Sequence, residues 1–311
     1  MSEVPRLLPE PTRSGYTPSF DGTRIYWELH EAPEGAEDLP PLVFCYGLVC
    51  SVNQWRAQVE RFRTERTCLL LDYRGHHRSG TPKDRRLMNI SACARDVAAA
   101  VREVDLAPAH VWGHSLGCNV GLEYALAFPE QVRSLVLLNG TTESPFKGMF
   151  GTDLLEKVVD PLFKAYAGHE DVYHAVWSVL MSKPEAVAFV AKLGGGFNAD
   201  ASTAEDIETY ARAVVNVSPE TFFPLIIELA KGSTAGILPK IKTPAFVIAG
   251  GKDRVTPPRE QKLMVAALSG AQYLEVPTGS HNVQLDFGDY VNMKAEEFWG
   301  RLDLDSPSKP V

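Results

Sequence analysis

Short apolar runs alternate with amphipathic stretches along most of this chain. Residues 14–20 and 23–30 read as strands flanking Asp21-Gly22, a dipeptide that favours a tight hairpin turn, so an antiparallel pair opens the fold. The runs LVFCY (42–46), TCLLLDY (67–73), HVW (110–112) and SLVLLN (134–139) read as further strands. Between them the spacing predicts helices over 54–62, 90–105 and 116–128. In the second, Ile90, Ala94, Val97, Val101 and Val104 share a face and Asn89 is available as a cap; Pro129 closes the third. The unit resumes with PAFVIA (244–249), a helix over 259–268, a strand over 272–276 and a helix over 287–302. Unbroken apolar strands joined by amphipathic helices predict an α/β fold: a mostly parallel central sheet with helices on both faces.

The rhythm breaks between about 141 and 240. Helical patterns recur there around 153–166, 171–181, 184–193, 204–215 and 219–230, with no convincing strand, and Gly194-Gly195-Gly196 lies among them. The expected organisation is a core of 1–140 and 241–311 with an all-helical insertion at 141–240. Residues 1–13 read as a loose arm and the last residues, DSPSKPV, as a disordered tail.

Composition narrows the partners. With 39 acidic against 31 basic side chains the net charge is −8, which argues against nucleic acid or an anionic membrane. No segment approaches the roughly 18 continuous apolar residues of a membrane span, and the proline-containing start lacks the apolar stretch of a signal peptide. The five cysteines form no CxxC pair; Cys45 and Cys68 lie in apolar strands and Cys93 on an apolar helix face. They read as small buried hydrophobes in a reducing compartment, hence a cytoplasmic protein. No cofactor or metal is expected, and a homodimer is compatible with the sequence.

Chemistry enters at Gly113-His114-Ser115-Leu116-Gly117, which fits G-x-S-x-G between an apolar strand and an amphipathic helix. A nucleophilic serine needs that sharp strand-to-helix turn to lift its Oγ clear of the sheet, and the flanking glycines give the backbone room. A serine hydroxyl also needs a base and a group to orient that base. Asp253 follows PAFVIAGG and His281 follows QYLEVP, so both fall in loops after strands, at the edge where parallel strands all end. Asp253 is expected to hold His281, which takes the Ser115 proton and returns it to the leaving group. The oxyanion donors are expected at the N–H of Leu116 and, from the loop after LVFCY, of Leu48. Tyr46, Gly47 and His114 are candidate substrate contacts.

These motifs, with D-Y-R-G at 72–75, Ser79 beyond it and G-S-H at 279–281, resemble the α/β-hydrolase superfamily, in particular its capped, esterase-like members. The resemblance implies a helical cap over 141–240 with a small, ester-like substrate bound between cap and sheet. Some relatives carry the acid after the strand preceding the insertion, where this chain has Asn139-Gly140, so Asp253 is preferred. Two departures stand out. The oxyanion loop begins Tyr46-Gly47 where the family usually has His-Gly. The loop usually reading R-G-x-G-x-S is Arg74-Gly75-His76-His77-Arg78-Ser79, which puts a histidine where a positive φ is expected. An adjacent histidine pair suggests a metal, but no third ligand has recognisable spacing. The reaction implied is acyl transfer from a carboxylic ester, thioester or lactone of a small, largely apolar substrate through an acyl-enzyme. Carbon–carbon bond hydrolysis, cofactor-free haloperoxidase-like or acyltransferase activity, and a non-turnover ligand receptor are the rivals. Phe146, Phe150, Phe163, Trp177, Phe189, Phe197, Phe222 and Phe223 are candidates for an apolar pocket lining, or for the packing of the insertion itself.

Overall fold

The computed structural model describes residues 4–36, 39–147, 149, 152–198, 200–232 and 234–305. Strands β1 (Arg13–Pro18) and β2 (Arg24–His30) pair antiparallel around the Asp21-Gly22 turn, where Gly22 has φ 81°. They join β3 (Leu42–Cys45), β4 (Cys68–Leu71), β5 (Ala109–His114), β6 (Val132–Leu138), β7 (Ala245–Gly250) and β8 (Gln272–Val276) in one sheet ordered β1-β2-β4-β3-β5-β6-β7-β8. From β4 to β8 every neighbouring pair is parallel. Every residue of β3, β4, β5 and β7 is buried, as strands covered on both faces must be.

Helices α1 (Arg56–Phe62), α2 (Ile90–Glu103) and α3 (Leu116–Ala127) fill the first crossovers. The Asn89 side chain accepts from Ala92 N at 2.8 Å and caps α2. Between β6 and β7 come α4 (Leu154–Tyr166), α5 (Glu170–Leu180), α6 (Pro184–Leu193), α7 (Ala204–Val215) and α8 (Pro219–Ala230), with no strand among the described residues there. Helices α9 (Pro258–Ala267), α10 (Val283–Asp286) and α11 (Gly288–Asp305) complete the chain. α2 packs on α3, while α1 packs on α10 and α11.

Three details differ from the sequence reading. The strand expected to run to residue 73 stops at Leu71, because Tyr73 N turns to the Tyr46 hydroxyl at 3.2 Å and leaves the ladder. The helix expected from residue 54 begins as a 3-10 turn over Val52–Trp55. The arm is docked rather than loose: Leu8 is buried, Leu7 N donates to Asn53 Oδ1 at 2.9 Å, and Arg6 pairs with Glu28 at 3.1 Å. Residues 1–3, Phe150 and the tail from 306 lie outside the described residues. No single described helix is long and apolar enough to cross a bilayer.

Candidate active site

Ser115 is the single residue between β5 and α3, with φ 53° and ψ −119°. A non-glycine residue there costs on the order of 1–3 kcal/mol. Two 3.0 Å bonds hold the turn, from Ser115 N to Leu138 O and from Cys118 N to Ser115 O. The flanking glycines are steric necessities: a Cβ at Gly117 would overlap the Cys45 carbonyl, and one at Gly113 would sit 2.6 Å from Gly117 O. The apolar strand thus runs straight into a helix, and the turn lifts the hydroxyl into a cavity.

His281 and Asp253 come from the loops after β8 and β7. His281 Nδ1 lies 2.8 Å from Asp253 Oδ2, both residues being buried. A carboxylate only accepts, so Nδ1 carries the proton and Nε2 is left as the basic nitrogen. Asp253 is itself fixed: Oδ1 accepts from Val255 N at 2.8 Å and Thr256 N at 2.9 Å, and the Thr256 hydroxyl stands 2.8 Å from Oδ2. Ser115 and His281 line the same cavity. No hydrogen bond joins them in this structure; apo contacts of this kind are often long and tighten when substrate binds.

Asn139, at the end of β6 with φ 48°, ties these loops together. Its Nδ2 donates to the carbonyls of Ser280 at 2.9 Å and His281 at 2.7 Å, and its Oδ1 accepts from Gly250 N at 2.7 Å. His114 Nε2 adds a 2.7 Å contact to the His281 carbonyl. Burial, with His281 beside it, pushes the His114 imidazole well below its ordinary pKa, so it is neutral at pH 7.

The loop after β3 carries Leu48, whose N–H is expected as an oxyanion donor. Gly47 N is already engaged, donating to Gln54 Oε1 at 3.0 Å. Among the described residues the N–H groups of Leu48 and Leu116 meet no acceptor, and both residues line the cavity. The unusual histidine pair holds this loop from behind. His76 Nε2 lies 2.7 Å from Leu48 O, and His77 Nε2 lies 2.7 Å from Cys50 O. His77 has φ 39°, the positive φ expected at that position. Burial pushes His76 down to about 4, so it is a neutral donor at pH 7. No group of three or more His, Cys, Asp or Glu side chains among the described residues is arranged to hold a metal ion.

Ser115, His281, Leu48, Leu116, Gly47 and His114 all border one cavity of about 270 Å³; Asp253 stands behind His281. Tyr46 is the exception and a correction. It is not among the residues lining the cavity, and its phenol is fully buried, 3.3 Å from Asp72 Oδ1. Burial and the Asp72 charge push that phenol well above its ordinary pKa. Of the candidate aromatic residues Phe222 lines the cavity, joined by Tyr210, while Phe146, Phe163, Trp177, Phe189, Phe197 and Phe223 do not. The sequence reading passed over Thr256, Gln54 and Asn282. None of the three stands in an apolar run, so no local pattern set them apart; Asn139, at the end of SLVLLN, is the one that does.

Comparison with known proteins agrees with this architecture. The family model for the alpha/beta hydrolase fold matches residues 40–167, from β3 through α3 and β6 into α4. The chain has the alpha/beta hydrolase fold. A curated relative named carbamate hydrolase RutD, from Azorhizobium caulinodans, is 35% identical over 116 residues. That match covers 37% of this chain and 41% of the relative, less than half of its length. A protein of the same name from Rhizobium rhizogenes is 27% identical over 88% of this chain and 97% of its own. Among solved structures, the enol-lactonase from Burkholderia xenovorans LB400 superposes with a TM-score of 0.72 at 21% identity, covering 92% of this chain and all of its own. At that identity the likeness speaks for the fold alone.

Proposed function

We propose that this protein is a serine hydrolase that cleaves a carboxylic ester, thioester or lactone of a small, largely apolar substrate. The 2.8 Å contact between His281 Nδ1 and Asp253, with His281 and the Ser115 elbow lining one cavity, carries the reading. In this mechanism Nε2 takes the Ser115 proton as Oγ attacks the carbonyl carbon. The oxyanion meets the N–H groups of Leu48 and Leu116, and the imidazolium, held by Asp253, protonates the leaving oxygen or sulfur. Water activated by the same nitrogen then releases the acid and restores Ser115. Neutral His114 adds no competing charge beside the base.

Substrate scale follows from the cavity, whose walls include Val49, Met149, Phe222, Ile226 and Leu229. About 270 Å³ suits a small molecule and leaves little room for a long polar chain. We assign 141–240 as a cap over this cavity, since Met149, Val190, Tyr210 and Phe222 from that segment contribute to its walls. Relatives named for carbamate and enol-lactone hydrolysis fit the same chemistry, because each of those substrates offers a carbonyl that serine attack turns into an oxyanion. Five free, buried thiols support a reducing compartment such as the cytoplasm.

The deciding experiment is multiple-turnover hydrolysis of p-nitrophenyl esters, acetate through octanoate, by wild type and Ser115→Ala. Sustained turnover that falls by on the order of 10³-fold or more in the variant is expected, with an optimum at short acyl chains. Release of a single equivalent, or equal activity in Ser115→Ala, would overturn the hydrolase reading and bring the ligand receptor forward.

A further inference from the structure

The segment Gly194-Gly195-Gly196, which ends α6, lies directly against the loop that carries the base. His281 N donates to Gly195 O and Asn282 N to Gly196 O, each at 3.2 Å, and Ser280 Oγ reaches Gly196 O at 3.1 Å. From there a buried side-chain path leads to the oxyanion loop. Asn282 Nδ2 donates to Gly196 O at 2.7 Å, Gln54 Nε2 donates to Asn282 Oδ1 at 2.9 Å, and Gly47 N donates to Gln54 Oε1 at 3.0 Å. The direction of this path is fixed at both ends by the backbone. Gly196 O can only accept, so Asn282 must present its NH₂ there and its oxygen to Gln54. Gly47 N–H can only donate, so Gln54 must present its oxygen there and its NH₂ to Asn282. Both side chains are buried, so a broken link leaves polar atoms without water to replace it.

We propose that Gln54 and Asn282 are positioning residues that register segment 194–196 against the base and the oxyanion loop together. Docking of the segment then sets the backbone of His281 and, through Gln54, the Tyr46-Gly47 peptide, next in the chain to the Leu48 N–H that faces the substrate carbonyl. Neither residue touches the reacting atoms. The proposal rests on the roles given above to His281 and Leu48, but its central claim is mechanical: what loosens one end loosens the other.

The test uses the full chain, with the near-isosteric variants Gln54→Met, Asn282→Leu and their double, read by amide hydrogen exchange and by ester kinetics. Gln54→Met is expected to speed exchange at His281 and Asn282, whose amides it does not contact, and Asn282→Leu to speed exchange at Gly47. Each is expected to lower kcat by on the order of tenfold with KM nearly unchanged, and the double variant to lose no more than the worse single one. Exchange that changes only at each variant's own bond partner, with kcat losses that multiply, overturns the proposal. If the apolar variants do not fold, Gln54→Glu takes their place: it keeps an acceptor for Gly47 N but no donor for Asn282. It should leave Gly47 protected while the amides of His281 and Asn282 open; protection unchanged at all three overturns the coupling. A wild type that hydrolyses no ester removes the ester reading alone, since the exchange measurement still decides the coupling.

Discussion

The strands beneath Ser115 and the helices α4 to α6 are both rich in apolar residues, yet they meet water in opposite ways. In β3, β5 and β7 every side chain is sealed, and Trp112 on β5 packs against Phe44, Trp55, Phe62 and Trp299. In α4 and α6 no residue is buried, and in α5 only Trp177 is. Val158, Val179 and Phe189 are 53%, 73% and 63% exposed. The inner helices α7 and α8 lie between these extremes: Ile207, Ala211, Leu225 and Leu229 are buried, and Arg56 on α1 pairs with Asp206 on α7 at 2.8 Å. The segment between β6 and β7 is therefore graded, fastened at α7, α8 and the 194–196 segment and open at its outer helices. The residues proposed for catalysis stand in or beside the sealed part, and variation in the outer helices is expected to cost little stability.

The largest test of that contrast is Trp112→Ala. Removing a fully buried indole from an aromatic cluster should cost about 3–5 kcal/mol, read as a shift in the urea midpoint at unchanged m-value. A loss under about 1 kcal/mol would mean that the sheet core is not the sealed body described here.

A middle-sized effect concerns acid. Burial pushes His76 down to about 4, His110 to about 3, and His114 well below its ordinary 6.5. Unfolding returns each to about 6.5, so below that pH the unfolded chain binds more protons than the folded one. The stability these neutral rings supply is whole above about pH 6.5 and drains as pH falls toward their folded values. The slope is about 1.4 kcal/mol per pH unit for each histidine well inside that window. Thermal midpoints between about pH 8 and pH 5 should be flat at first and then fall. A midpoint that holds or rises toward pH 5 would contradict neutral burial of these rings in the core.

The smallest effect belongs to the outer helices. Val179→Ser, at a position 73% exposed, should change stability by no more than about 0.5 kcal/mol. A larger loss in chemical denaturation would show that α5 is covered in solution and would erase the contrast.

Much of the site was legible because its chemistry is tied to local pattern. G-x-S-x-G announces a turn that only small flanking residues permit, and Asp253 and His281 each follow an apolar strand, so a parallel sheet delivers all three to one edge. Leu48 was offered for the same reason, from its place in the loop after β3. Tyr46 was misjudged because loop position says nothing about direction: Asp72 and Tyr73 on the neighbouring strand's continuation draw its phenol inward. His76 and His77 suggested a metal by adjacency but lacked a third ligand of recognisable spacing, and each places a ring nitrogen against a carbonyl of the loop after β3.

By itself the sequence determined the order of elements, the break in rhythm at 141 and the three residues offered for catalysis. Each of those depends on neighbours in the chain: hydrophobic period, turn chemistry, and strand direction. Tertiary structure alone decided which apolar helix faces are covered, which way Tyr46 points, and that Gln54, Asn139 and Asn282 link loops far apart in sequence. Those outcomes depend on which backbone donors and acceptors meet in space, and a buried amide finds its partners only when the loops around it have closed.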